Sequence, residues 1–162
     1  MESYWNRFPG LYSTGDAAIK DEDGYIWFLG RVDEVIKISA HRIGTIEIES
    51  ALLQDPNVAE TAVVGRPDPL RGETACAFVV LKGNARATDD LKQTLRNLAR
   101  KTLGPIVVIS DIHFVNKLPK TRSGKIMRRL IKAIISNKPL GDYSTIEDES
   151  SMEELKKATT NP

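Results

Sequence analysis

The stretch LPKTRSGKIMRR, residues 118–129, concentrates residue types that can bind anions. Its Lys125 follows Ser123 and Gly124, and glycine gives the backbone the freedom to form a tight loop from which a long side chain projects. A lysine ammonium is a compact positive charge that suits one phosphoryl or carboxylate oxygen. Around it the chain has seven basic residues and no acidic residue: Lys117, Lys120, Arg122, Lys125, Arg128, Arg129 and Lys132.

The residues of the basic loop, 117–132, admit four interpretations. A phosphate loop of the Walker type is excluded, because it needs an upstream glycine and a Ser or Thr after the lysine, whereas Ile126 follows Lys125. Nucleic-acid binding has enough positive charge, but the loop contains no aromatic residue for stacking on bases. A solvated basic surface and a catalytic lysine both remain open.

The elements before this loop begin with two predicted hairpins. Residues 12–29 are predicted to form two strands joined by a turn at Asp21–Gly24. Residues 35–38 favour a short strand, and Ile43 lies in its predicted return strand. Thr45 is predicted to cap a helix that extends to about residue 54.

The middle of the chain predicts an alternation of strands and a helix. AETAVVG (59–65) and ACAFVVL (75–81) are predicted strands, and the second is apolar throughout, as expected for a buried strand. Residues 89–103 are predicted to form a helix with one apolar face, which Gly104-Pro105 ends. DIHFV (111–115) is the last predicted strand.

The fold class expected from these elements is α+β. A short hairpin and a roughly three-stranded sheet packed by helices would form a domain over residues 33–135. Residues 126–135 would contribute an amphipathic helix, and residues 136–162 would form an acidic, flexible tail. Residues 1–32 would be the end of a preceding domain, because an isolated hairpin is marginally stable and this one exposes several aromatic side chains.

Composition excludes several classes of protein. The chain has 162 residues, 41% of them hydrophobic and 28% charged, with a net charge of +1, which fits a globular protein rather than a nucleic-acid or membrane binder. Cys76 is the only cysteine, so neither an intrachain disulfide nor a thiolate metal cluster is expected, and its apolar surroundings predict a core position. No apolar run could span a bilayer and no signal peptide is evident, so a cytoplasmic location is expected.

Three motifs in this order resemble those of the AMP-forming acyl-CoA synthetases, the adenylate-forming superfamily: YSTGD (12–16), GRVDEVIKISAHRIG (30–44) and LPKTRSGKIMRR (118–129). The resemblance covers roughly residues 4–135, and the last motif is most similar to the acetyl-CoA synthetase branch. It implies a two-step reaction. A carboxylate attacks the α-phosphate of ATP to give an acyl-adenylate and pyrophosphate, and CoA then displaces AMP. The C-terminal domain would rotate between the two steps.

The resemblance also implies roles for individual residues in the first step. Asp16 matches an acid that accepts hydrogen bonds from the ribose hydroxyls, and Arg31 matches an arginine near the ribose and phosphate. Lys125 matches the lysine that contacts the acid and the α-phosphate during adenylation, and Arg42 matches an arginine near the same phosphate. Asp33 matches the hinge between the domains.

For the second step, the resemblance implies that Ser39 and Ala40 line the channel for the pantetheine of CoA. Arg100 matches an arginine that contacts a CoA phosphate, and Pro105 matches a position near the nucleotide of CoA. The family usually has glycine at position 40, so the Ala40 Cβ is expected to narrow this channel. His41 is assigned a role in the turn or in packing rather than in catalysis.

The remaining expectations concern partners and activity. The substrates implied are ATP with Mg, a short-chain acid such as acetate, and CoA, with no tightly bound cofactor or metal site. The partner implied is an N-terminal adenylation domain. The chain contains no glycine-rich triphosphate loop, so it is expected to be inactive alone and to be a domain, a proteolytic product or a separately encoded fragment. The alternative is a stand-alone module that uses the basic loop to bind CoA, a partner domain or RNA.

Overall fold

The computed structural model describes residues 5 and 8–160. The first hairpin consists of β1 (Asp16–Lys20) and β2 (Ile26–Arg31), which pair antiparallel in a sheet of their own. The predicted hairpin and its turn are therefore confirmed. Its apolar side chains face solvent, with Ile26 73% and Phe28 67% exposed. Exposed apolar surface of this kind is typical of a contact face.

A second hairpin follows after one turn of 3-10 helix, Val32–Glu34. Strands β3 (Val35–Ile38) and β4 (His41–Gly44) pair antiparallel, with Ile38 opposite His41, so the turn between them has only two residues. This confirms the short strand and its return strand.

Helix α1 covers Thr45–Leu52 and begins one residue earlier than predicted. Gly44 is the N-cap, and its N–H donates to Oε1 of Glu47 at 3.1 Å. Thr45 is the first helical residue rather than the cap. Its Oγ1 is buried and has no hydrogen-bond partner among the described residues.

The central hairpin is formed by β5 (Val58–Asp68) and β6 (Gly72–Leu81), both longer than predicted. Much of the segment expected to be a turn continues the two strands, leaving a connection of three residues. Helix α2 (Asp89–Leu103) has the predicted bounds, and β7 (Ile109–Val115) follows it.

These strands form one five-stranded sheet in which β6 is central. Strand β5 occupies one edge of β6. The other edge is shared by β3, which meets Gly72 through Ile38, and by β7, which pairs in parallel from Ala75 onward. The predicted short hairpin and three-stranded sheet are thus joined into a single sheet, and the α+β class is confirmed.

Both faces of the sheet are buried, which explains the continuous apolar runs in β5 and β6. Alternate residues point to opposite faces. Val63 and Val79 pack on the side of α1 and α2, whereas Val64 and Phe78 pack on the side of Ile131. Ile131 belongs to α3, Arg128–Ile135, which begins two residues later than predicted.

The segment expected to be a flexible tail is folded over the part that the structure describes. It contains helix α4, Ser150–Thr160, in which Leu155 is completely buried and Met152 is 5% exposed. The acidic composition of the segment did not indicate this helix. A few separated apolar side chains are enough to stabilise a helix when they pack against a preformed surface. Within the described residues, no helix has the length and apolar character needed to cross a membrane.

Candidate active-site surface

Lys125 lies at the end of a tight loop whose backbone is fixed by internal hydrogen bonds. The Lys125 N–H donates to Oγ1 of Thr121 at 3.2 Å, and the Thr121 N–H donates back to the Lys125 carbonyl at 2.9 Å. Gly124 closes the loop with a φ of 80°, a value that glycine adopts without strain. The exposed lysine side chain therefore projects from a rigid support.

Most of the positive charge in the basic loop is already used within the chain. Lys120 pairs with Glu60 at 2.7 Å, and Lys132 lies 3.7 Å from Glu73. Five of its seven cations contact carboxylates or carbonyls: Lys117, Lys120, Arg128, Arg129 and Lys132. Among the described residues, the side chains of Arg122 and Lys125 make no ion pair or hydrogen bond. The charge left for an external anion therefore lies on the loop around Gly124.

Asp16 and Arg31 lie together at one end of the first hairpin. They occupy facing positions of β1 and β2, and Nη1 of Arg31 lies 3.8 Å from Oδ1 of Asp16. The same Nη1 donates to the Thr14 carbonyl at 3.1 Å. A carboxylate acceptor and a guanidinium donor are thus placed side by side, as a site for a sugar phosphate requires.

Asp33, the predicted hinge, directly follows this hairpin. Its backbone lies in the 3-10 helix that joins β2 to β3, while its side chain lies outside what the structure describes. The position of Asp33 between the separate two-stranded sheet and the five-stranded sheet is where a hinge between two domains would be needed.

The residues expected to line the CoA channel form the turn between β3 and β4. Ser39 has a φ of 55°, whereas Ala40 is not among the described residues with a positive φ. The Ser39 N–H donates to the Arg71 carbonyl at 2.7 Å, which fixes the turn against the connection between β5 and β6. Ala40 is exposed, so its Cβ faces space that a ligand could occupy.

Arg42 lies beside this turn, and its cross-strand partner in the register of β3 and β4 is Lys37. Two cations directly opposite each other on neighbouring strands repel. Both are exposed, so their arrangement fits a surface that receives an anion. His41 is also exposed, and it belongs to the first residue pair after the turn.

Arg100 and Pro105 lie around the end of α2, near the same end of the sheet. Gly104 ends the helix with a φ of 92° and donates its N–H to the Arg100 carbonyl at 3.0 Å. The chain after the helix then contacts the edge of β6, where the Ala75 N–H donates to the Val108 carbonyl at 2.9 Å. Ala75 is three residues from Gly72, the β6 residue that contacts the Ser39 hairpin.

The loop of Lys125 and the turn of Ser39 and Ala40 lie at opposite ends of the central hairpin. Lys120, beside the Lys125 loop, contacts Glu60, which pairs with Val80 near the end of β6. The Ser39 turn lies beside Gly72, at the start of β6. Eight residues of extended strand separate these positions, or about 27 Å at the usual rise. The two surfaces therefore lie beside opposite ends of β6.

A largely buried ionic cluster supports this surface, and no local sequence pattern indicates it. Arg128 donates from Nε and Nη2 to the two oxygens of Glu49, at 2.8 and 2.6 Å, and its Nη1 lies 3.6 Å from Glu34. Glu49 also accepts the Val63 N–H at 2.8 Å. The hydrogen bonds to Glu49 raise the pKa of the Arg128 guanidinium above its ordinary value. The cluster ties α3 to α1 and to the residue after the predicted hinge.

Replacing Glu49 by alanine should destabilise the domain by about 3 kcal/mol, because it leaves Arg128 largely buried without its main partner and the Val63 N–H without an acceptor. Thermal or urea unfolding of the chain measures this change. The matched control is Glu153→Ala, which removes an exposed ion pair with Lys156 and should leave the stability nearly unchanged. Equal stability of the two variants would contradict the structural role of the cluster.

The remaining features argue against a self-contained active site. A cavity of about 510 Å³ lies between Glu34, Thr45 and Arg128, but none of the candidate residues lines it. Cys76 is buried, and burial raises the pKa of its thiol to about 12, so it belongs to the core as predicted. The described residues contain no group of side chains able to hold a metal ion. The candidate residues therefore form open surfaces that need a second surface to enclose a substrate.

Comparison with known proteins identifies the family of residues 47–125. They match the family model of the AMP-binding enzyme C-terminal domain, and Lys125 is the last matched residue. This segment of the chain belongs to that family. An acetyl-coenzyme A synthetase of Pyrobaculum aerophilum is 59% identical over 158 residues, covering 98% of the chain and 24% of the relative. A 3-hydroxypropionyl-coenzyme A synthetase of Metallosphaera sedula is 55% identical over 157 residues, covering 97% of the chain and 24% of the relative.

Solved structures of acyl-CoA synthetases are also similar to this chain. An acyl-CoA synthetase of Brucella canis matches 80% of the chain and 24% of its own, with a TM-score of 0.62 and 45% identity. Acetoacetyl-CoA synthetase from Streptomyces lividans matches 98% of the chain and 24% of its own, with a TM-score of 0.81 at 23% identity, which shows the fold alone. The chain thus spans about a quarter of the length of the relatives it matches.

Proposed function

We propose that the chain is the C-terminal part of an AMP-forming ligase that joins a short-chain acid to CoA. In the first step, ATP with Mg and the acid form an acyl-adenylate and pyrophosphate; in the second, the CoA thiol displaces AMP. The observation that carries the proposal is the position of Lys125 at the tip of a rigid loop, with no side-chain partner among the described residues. The chain that contains it is 59% identical to a protein named acetyl-coenzyme A synthetase.

Lys125 would act in the first step. Its ammonium would lie between the carboxylate of the acid and the α-phosphate of ATP, and so reduce the repulsion between two anions that must react in line. Asp16 would accept hydrogen bonds from the ribose hydroxyls, and Arg31 and Arg42 would contact the phosphate side of the nucleotide.

The second step would use the opposite end of the central hairpin. Ser39 and Ala40 would line the pantetheine channel, and Arg100 and Pro105 would contact the nucleotide end of CoA. The placement of the two surfaces beside opposite ends of β6 supports a rotation at Asp33, which would present one surface at a time to a single acyl group.

The partner proposed for these surfaces is an N-terminal adenylation domain that binds ATP and the acid. The exposed apolar side chains of the first hairpin, among them Trp27 at 63% and Phe28 at 67%, support it, because such surface is usually covered. We assign residues 1–32 to that domain, and we place the enzyme in the cytoplasm.

The acid is acetate or a close analogue under this proposal, since relatives above 50% identity are named for acetate and for 3-hydroxypropionate. Acetylation of the exposed Lys125 would remove the charge and switch off the first step. The alternative of a stand-alone anion-binding module is less well supported, because five of the seven cations in the basic loop already have partners within the chain.

The purified 162-residue chain should show no acid-dependent exchange of pyrophosphate into ATP, because the described surfaces are open and contain no triphosphate-binding loop. The full-length enzyme should catalyse this exchange with acetate or 3-hydroxypropionate. Longer acids in the same assay define the size of the acyl pocket. Clear acetate-dependent exchange by the chain alone would refute the proposal that adenylation requires the N-terminal domain.

A further inference from the structure

Residues 145–147 lie beside the Lys125 loop as a short segment that follows a turn. They pair with residues 120–122, the arm that leads into the loop. The contacts are an N–H of Arg122 to the Thr145 carbonyl at 3.3 Å, an antiparallel bridge between Thr121 and Ile146, and an N–H of Glu147 to the Lys120 carbonyl at 2.9 Å. The arm thus has a backbone partner on its outer edge.

The inner edge of the same arm pairs with the segment that contains Lys125. Lys120 forms a bridge with Ile126, and the Thr121 N–H donates to the Lys125 carbonyl. Residues 120–122 therefore lie between two segments and are hydrogen-bonded to both. The outer segment, 145–147, helps to determine where the arm lies, and the arm determines where the Lys125 backbone lies.

The outer segment, 145–147, is itself anchored by the residues around it, 140–155, which we call the C-terminal brace. Ile146 is 7% exposed and packs with Leu130 and Met152. The Arg129 guanidinium donates to the carbonyls of Leu140 and Asp142. These contacts fasten the brace to α3, the helix that begins just after the Lys125 loop.

We propose that the C-terminal brace is a positioning element for Lys125. It makes no contact with the Lys125 side chain among the described residues, and acts by holding the arm at 120–122 in one place. A displacement of about 1 Å in a catalytic group can cost two orders of magnitude in rate, and a loop held by few contacts opens locally. This inference rests on the role proposed for Lys125 in adenylation.

The variant Glu147→Pro tests the inference, because proline removes the one N–H that Glu147 donates to Lys120. Glu147 is exposed, and the matched control Glu147→Ala keeps this N–H while losing the carboxylate. In the full-length enzyme, Glu147→Pro should lower kcat for adenylation about tenfold with KM for ATP unchanged. Thioester formation from supplied acyl-adenylate should be unaffected, and Glu147→Ala should match the wild type.

The same substitution in a Lys125→Ala background separates positioning from general damage. If the brace acts through Lys125, Glu147→Pro should change the residual adenylation by less than about twofold there. A further tenfold loss in that background, or wild-type adenylation by Glu147→Pro alone, would overturn the inference. Normal adenylation by Lys125→Ala alone would instead refute the proposed function.

Trypsin digestion of the 162-residue chain gives a readout that does not depend on activity. Loss of the backbone hydrogen bond should expose the arm, so cleavage after Arg122 and Lys125 should be about fivefold faster in Glu147→Pro than in Glu147→Ala. A second variant, Ile146→Ala, should accelerate the same cleavages by removing the apolar anchor. Equal cleavage rates in all three variants would show that the brace does not hold the loop.

Discussion

Replacing Lys125 by alanine in the full-length enzyme should lower the rate of acyl-adenylate formation by about a hundredfold or more. This corresponds to about 3 kcal/mol, the usual effect of removing one preorganised charge from a reacting centre. The loop geometry contributes to the expected size, because the Lys125 backbone is held by a closed loop and need not be ordered when substrate binds. Acid-dependent exchange of pyrophosphate into ATP measures the effect.

Arg122→Ala is the matched control, since Arg122 is the other cation of the basic loop without a partner among the described residues, and it lies three residues earlier. It should reduce exchange by less than about tenfold, because a charge that only attracts ATP changes encounter rather than the reaction itself. Equal losses in the two variants would mean that the loop contributes general positive potential and that Lys125 has no special position.

The second large effect is expected at Ala40, where leucine should block thioester formation by a factor of about a hundred. Ala40 is exposed in a two-residue turn and lacks a positive φ, so leucine can adopt its backbone without strain and the domain should remain stable. The added side chain would occupy the space that the pantetheine needs. Titration of CoA against preformed acyl-adenylate measures the block.

Ala40→Gly provides the complementary control. Removal of the Cβ should leave thioester formation equal to or faster than in the wild type, and adenylation should remain unchanged in both variants. If Ala40→Leu binds and acylates CoA normally, residue 40 does not line the channel, and the assignment of the CoA surface to Ser39 and Ala40 fails with it.

Local elements were predictable because their signals are local. The bounds of α2 follow from its apolar face and the Gly104-Pro105 stop, and the hairpin turn at Asp21–Gly24 follows from its residue types. The position of Lys125 on a glycine-closed loop could also be predicted, because Gly124 permits the positive φ that this loop uses.

The contacts that organise the site could not be predicted, because they join distant parts of the chain. Arg128 binds Glu49, which lies 79 residues earlier, and no local pattern marks either residue. The joining of β3 to β6 likewise depends on one residue pair, Ile38 and Gly72. Composition also gave a wrong prediction at α4. The acidic segment was predicted to be a flexible tail, but its Leu155 is completely buried in the core.

The central claim is that the two ends of the central hairpin serve different steps of one reaction. The most direct test supplies acyl-adenylate and CoA to the full-length Lys125→Ala enzyme and measures the single-turnover rate of thioester formation. The account predicts a rate within about twofold of the wild type, because the Lys125 loop and the CoA surface lie beside opposite ends of β6. A loss as large as that in adenylation would contradict it, since Lys125 would then serve both steps or support the fold as a whole.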